Sequence, residues 1–189
     1  MAVDVVSSIL NQLDREIWII TARAGDRESG LVATNVSSAS LVPALPRMTV
    51  GLANHHYTRE LIEQSNAFCM HLIDESHLDW VWNFGINSGR TTEKLSGFDT
   101  RTSATGSPIL NGAQSWLDCR VEVRMDTGDR TVYLVEVLDG GGHQTSKPLT
   151  FKRLLELAPA DKLQQLKAAV ETDIEVDREA ILAWRHDRK

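Results

Sequence analysis

The residues best suited to chemistry in this 189-residue chain are small and polar rather than ionised. Ala33-Thr34-Asn35-Val36-Ser37-Ser38-Ala39-Ser40 places hydroxyl and amide side chains on most positions of an expected strand. With nothing bulky over it, such a strand offers its N–H and C=O groups to the polar edges of a flat heteroaromatic ligand. The same composition also blunts an edge strand against aggregation. A second feature, His55-His56-Tyr57-Thr58, precedes Leu61 and Ile62 at helical spacing, so a helix start is expected there with Thr58 as N-cap. Unpaired N–H groups and the positive dipole end suit a phosphate, to which Tyr57 and Thr58 add hydroxyls and a protonated His56 adds charge. Taken alone, the segment also reads as a simple cap with surface histidines. The two adjacent histidines are not expected to hold a metal, because no third ligand is spaced nearby.

Other chemistry-bearing types are scattered. GxSxG is absent, and no GxGxxG follows a strand, so neither a nucleophile elbow nor a Rossmann site is expected. Cys69 and Cys119 form no CxxC and read as two buried thiols in a reducing compartment. Asp118, Glu122 and Glu136 fall within expected strands and are assigned to solvent faces or cross-strand pairs. Trp80, Trp82 and Phe84 read as packing residues. His71, His77, His143 and His186 receive no role.

The elements that must position these residues follow from periodicity. Val6, Leu10 and Leu13 mark an amphipathic helix over 3–13 that packs near the N-terminus. Strands are expected over 17–22, 31–41, 48–53 and 68–73, with helices over 58–64 and 77–84. Residues 85–107 are polar and glycine-punctuated and read as a long excursion. Residues 115–125 and 131–138 alternate apolar and charged positions around Asp126-Thr127-Gly128-Asp129, a hairpin signature. Two modest amphipathic helices follow, over 161–171 and 177–188, each needing cover from the barrel or a second subunit.

Many short strands with few helices and no βαβ rhythm indicate a mainly β protein, a barrel with peripheral helices and a C-terminal helical extension. The formal net charge of -6 argues against nucleic acid as a partner. No apolar run is long enough to span a membrane and the N-terminus lacks a signal-peptide pattern, so a cytoplasmic protein is expected.

In order and spacing, these features resemble the flavin reductase-like family. The resemblance rests on Ile17-Trp18-Ile19-Ile20-Thr21, the run from Gly30 to Pro43, Thr58-Arg59-Glu60-Leu61-Ile62 with Phe68 after it, Phe84-Gly85, Gly106-Ser107-Pro108-Ile109-Leu110, and Gly128-Asp129 leading into Glu136-Val137. It implies an FMN-binding split barrel over 1–145 and a C-terminal helical extension over 146–189 that packs on the barrel or the dimer partner. It also implies a homodimer with flavin near the interface. Thr34, Asn35, Val36, Ser37, Ser38 and Ser40 would line the isoalloxazine and ribityl chain, and His56, Tyr57 and Thr58 would hold the phosphate.

The implied activity is an NAD(P)H:flavin oxidoreductase, with FMN, or FAD in its place, and NADH or NADPH as hydride donor. A partner oxygenase or another electron acceptor would take the product. Its alternatives are a non-catalytic FMN-holding protein for electron transfer or sensing, and a barrel holding another anionic cofactor such as pyridoxal phosphate. Three positions depart from the family pattern. Arg130 follows Gly128-Asp129 where many relatives have His, and is expected either to grip a nucleotide phosphate or to mark altered reductase function. Val135 stands where Gly is common and is expected to narrow a pocket, and Ala44 replaces the second Pro of a Pro-Pro pair.

Overall fold

The structure, a computed structural model, describes residues 2–143 and 146–188. In chain order it comprises α1 (Ala2–Leu10), β1 (Trp18–Ala24), β2 (Arg27–Ala33), β3 (Val36–Ser38), β4 (Arg47–Ala53), α2 (Tyr57–Ser65) and β5 (Ala67–Leu72). These are followed by α3 (Leu78–Ile86), β6 (Thr100–Thr102), β7 (Pro108–Leu110), β8 (Ser115–Asp126), β9 (Arg130–Gly142), α4 (Phe151–Leu157) and α5 (Ala160–His186).

Seven strands form one antiparallel sheet in the order β2-β1-β5-β8-β9-β4-β3. Its two outermost strands, β2 and β3, are neighbours in sequence, separated only by Thr34 and Asn35. The three residue steps from Ala33 to Val36 reach no more than about 11 Å, so the sheet must curl until its edges meet. This is a barrel left unsealed at one seam. The strand expected over 31–41 is therefore two strands on opposite edges. The Gly51 N–H donates to the Asn35 carbonyl at 2.8 Å, and the Asn35 amide lies over Gly51, where a Cβ would sit 2.4 Å from Nδ2.

Alternation along the strands builds two cores. Ile20, Ala22, Leu31, Ala33, Val50, Phe68, Met70, Cys119, Tyr133 and Val135 point into the barrel, which Leu61 and Ile62 of α2 plug. Ile17, Ile19 and Ile73 point outward and pack with Val81, Trp82, Phe84, Leu110, Leu149 and Leu154. Trp82 and Phe84 are thus packing residues, as expected. Val135, expected to narrow a pocket, is wholly buried in the barrel core. Both cysteines are free and buried.

Asp118 is another correction, because it is fully buried rather than solvent-facing. It accepts from Ser103 Oγ (2.9 Å), Thr105 N (3.0 Å) and Thr105 Oγ1 (2.6 Å). A buried carboxylate persists only with such donors, and here it anchors the turn before β7. Part of the excursion over 85–107 is ordered as β6, which pairs with β7.

The C-terminal region differs in two ways. Thr150 caps α4, accepting from Arg153 N at 3.4 Å. The two helices expected after it are one continuous 27-residue helix, because 172–176 contains no Gly or Pro to break it. Val6 and Leu10 of α1, and Leu13 beyond its end, are all exposed, so α1 does not pack as expected. Among the described residues, no helix is long and apolar enough to cross a membrane.

Candidate functional site

A cavity of about 280 Å³ lies where α2 begins. Its floor and walls are Leu31 of β2, His55, His56, Tyr57, Thr58 and the segment from Phe84 to Gly89 with Lys94. Its fourth side is α5, through Ala169, Thr172 and Asp173. The chain reaches this point because β4 ends at Ala53 and turns, with Asn54 Nδ2 donating to the Gly128 carbonyl at 2.8 Å.

His56, in extended backbone (φ -75°, ψ 132°), is the N-cap residue of α2, and no side chain caps the helix. The cap expected at Thr58 is therefore displaced by two residues. Thr58 sits in the first turn, 2% exposed, and lines the cavity. A first turn without a side-chain cap presents its N–H groups to whatever fills the space before it.

Two bases border the cavity. Burial pushes the His56 imidazole down to about 4, with the neighbouring His55 adding to the effect. Burial likewise pushes the Lys94 ammonium down to about 8. Lys94 Nζ donates to the carbonyls of Gly30 (3.0 Å) and Phe84 (2.8 Å), tying the 87–94 segment to β2 and α3. Gly89 is needed where this segment passes Ser29 and Tyr57: a Cβ there would lie 2.1 Å from Ser29 Oγ and 2.9 Å from Tyr57 Cδ1. Ser29 Oγ is itself buried without a hydrogen-bond partner among the described residues.

The candidate residues do not form a single pocket in this chain. His56, Tyr57 and Thr58 share the cavity at the start of α2. Ser38 and Ser40 line a separate hollow of about 240 Å³ with Leu41, Val42 and Pro43. Thr34 and Asn35 form the barrel seam, and Val36 and Ser37 start the short edge strand β3. Lys94 and the α5 residues were missed from sequence, because a lysine in a polar loop and a distant helix carry no local signal of a shared cavity. Arg130 is not a free cation: it pairs with Asp129 at 3.1 Å and with Asp177 of α5 at 3.0 Å.

Comparison with known proteins gives this geometry a lineage. Residues 10–154 match the family described as "Flavin reductase like domain". The reductase subunit HsaB of a flavin-dependent monooxygenase from Mycobacterium tuberculosis is 30% identical over 148 residues, 77% of this chain and 76% of that protein. Diflavin flavoprotein A 1 of Synechocystis is 27% identical over 132 residues, 69% of this chain. The chain spans only 22–24% of the length of the diflavin flavoproteins it matches.

Among solved structures, a nitrilotriacetate monooxygenase component B homologue from Mycobacterium thermoresistibile superposes with a TM-score of 0.68 at 27% identity, covering 84% of this chain and 92% of that one. A flavin reductase domain protein from Arthrobacter sp. FB24 shares the fold, with a TM-score of 0.68 at 22% identity over 78% and 89% of the two chains. With the family match spanning the whole barrel, this chain belongs to the flavin reductase-like family, and its seamed seven-stranded sheet is that family's split barrel.

Proposed function

We propose that the protein is an FMN-binding NAD(P)H:flavin oxidoreductase acting as a homodimer. The observation that carries this reading is the first turn of α2, without a side-chain cap, opening on a cavity lined by His56, Tyr57, Thr58 and Lys94. Tyr57 and Thr58 supply first-turn donors to the flavin phosphate, and Lys94 keeps a positive charge at the cavity wall at neutral pH. His56 is neutral there and acts as a hydrogen-bond partner rather than a cation. Flavins of this kind accept a hydride from NADH or NADPH and pass the electrons on.

The cavity volume of about 280 Å³ falls just below the roughly 300–1,000 Å³ of ligand pockets. It therefore suits the phosphate and ribityl tail. The ring lies outside it, over the seam at Thr34, Asn35 and Val36 and the hydroxyls of Ser37, Ser38 and Ser40, where a second subunit completes the cover. Residues 1–145 are the flavin-binding unit in this reading, and 146–189 its cover. An oxygenase is the proposed electron acceptor, supported by the description of HsaB as the reductase subunit of a monooxygenase.

A second reading, a flavin-holding electron carrier without nicotinamide chemistry, is favoured by Arg130. Its guanidinium is engaged by Asp129 and Asp177, so it does not reach for a nucleotide phosphate while α5 is docked. One experiment separates the two. Purified protein is titrated with FMN and then mixed with NADH or NADPH without oxygen. Saturable FMN binding and bleaching of the visible flavin band support the oxidoreductase. Binding without bleaching by either donor supports the carrier, and the absence of binding to FMN or FAD rejects both.

A further inference from the structure

The fold supplies what the sequence lacked beside its adjacent histidines, a third metal ligand. Asp173 of α5 comes to His55 and His56 across the mouth of the cavity. One ligand atom from each of these three residues lies within 4.8 Å of the others. The His55 and His56 rings are edge-on, centroids 4.6 Å apart and planes at 86°, so they do not stack. His55 Nε2 is 3.0 Å from Asp173 Oδ1. Two ligands on a tetrahedral zinc ion, each about 2.1 Å from it, are roughly 3.4 Å apart. The closest pair thus needs to open slightly, and the widest to draw in by rotation of half-buried side chains.

We infer that His55, His56 and Asp173 form a binding site for a divalent transition-metal ion of the zinc class, with Asp177 as the outer partner of His55. Two independent features beyond the ligand cluster point this way. Asp177 Oδ1 is buried without a hydrogen-bond partner among the described residues and lies 3.7 Å from His55 Nδ1. Arg130 holds the other carboxylate oxygen, Oδ2, at 3.0 Å, which turns Oδ1 toward the imidazole. When Nε2 ligates a metal, Nδ1 carries the proton, and a carboxylate at that position is the usual second layer of a histidine–metal site.

The second feature is the lining. All three ligands border the cavity at the start of α2, so a fourth coordination position opens into it. Two imidazoles, one carboxylate and an open position suit zinc, cobalt or nickel and disfavour magnesium and calcium, which take oxygen ligands. Neither ring nitrogen of His56 has a hydrogen-bond partner among the described residues, so a ring nitrogen is available to an ion. A bound ion would pin α5 to the turn after β4, sites 118 residues apart in sequence.

The test uses untagged, chelator-treated full-length protein and no flavin, so its failure leaves the flavin reading standing. Zinc is titrated calorimetrically, and cobalt(II) by visible absorption. Saturable binding of one ion per chain is expected, with cobalt bands of a nitrogen- and oxygen-ligated, low-coordinate ion. Asp173→Asn and His56→Gln are each expected to weaken zinc at least tenfold, while His186→Gln retains it. No saturable zinc binding, a cobalt spectrum unchanged from the hydrated ion, or unchanged zinc affinity in either site variant overturns the proposal.

Discussion

Both ring nitrogens of His71 are committed to backbone. Nδ1 lies 3.1 Å from the Ile19 carbonyl, and Nε2 accepts from Leu110 N at 3.0 Å. The imidazole is therefore neutral with its proton on Nδ1, and burial pushes its pKa down to about 4. The unfolded chain, titrating near 6.5, binds more protons than the folded chain across that window. Stability is full above about pH 6.5 and is lost as pH falls toward 4, by roughly 3 kcal/mol for this group alone. Denaturant unfolding at successive pH values should show that fall in the wild type and a shallower one in His71→Gln. Part of the slope persists in the variant because His56 is shifted in the same direction. At the cavity before α2, Thr58→Ala is expected to weaken FMN by about 1 kcal/mol or more, the scale of a hydrogen bond to a charged group, as read by fluorescence titration. Residue identity marked the segment from His55 to Thr58 as a helix start in the sequence. It did not reveal which residue would start the helix: the extended backbone of His56 decides that, and it depends on where β4 ends.

Elements were legible where their periodicity was local. The hairpin of β8 and β9 and the helix α2 follow from alternation and helical spacing within a dozen residues. The division of 31–41 into β2 and β3 was not legible, because nothing in the run itself says that its halves pair with opposite edges of a curled sheet. α5 shows the same limit. Its apolar residues are sparse, none of the helix is buried, and its docking depends on partners far away in sequence. One of these is Gly128, at φ +95°, where an added Cβ would meet Trp184 Cβ at 2.7 Å and the Ala180 carbonyl at 3.1 Å. Gly112, at φ +91°, has nothing within 4 Å. Gly112→Ala should therefore show the backbone cost alone, about 1–3 kcal/mol. Gly128→Ala should exceed it and also loosen α5, seen as faster proteolysis within 160–186. Equal losses in the two variants would mean that α5 does not rest on this turn.

At the scale of the molecule, the outer surface of the sheet bears on the proposed homodimer. Arg124 Nε reaches Glu63 of α2 at 3.2 Å, and Tyr133 Oη donates to the same carboxylate at 2.6 Å. Alternation then places Val123 and Met125 of β8, with their cross-strand partners Leu134 and Val132 of β9, on the face away from α2. Val123 is 55% exposed and Met125 57%. These neighbouring apolar side chains form a patch of the kind that marks an interface. The alternation was legible in the sequence, but which face would go uncovered was not, since that depends on where the helices pack. If the patch is the dimer face, Val123→Glu and Met125→Glu together should shift the protein from dimer to monomer in sedimentation velocity. The barrel should keep its thermal stability, because neither residue belongs to either core. The same variant should bind FMN more weakly if the second subunit covers the flavin ring, whereas a phosphate subsite formed within one chain should persist. A dimer that survives both charges would place the interface elsewhere, and a wild-type monomer that binds FMN at full strength would remove the need for a second subunit.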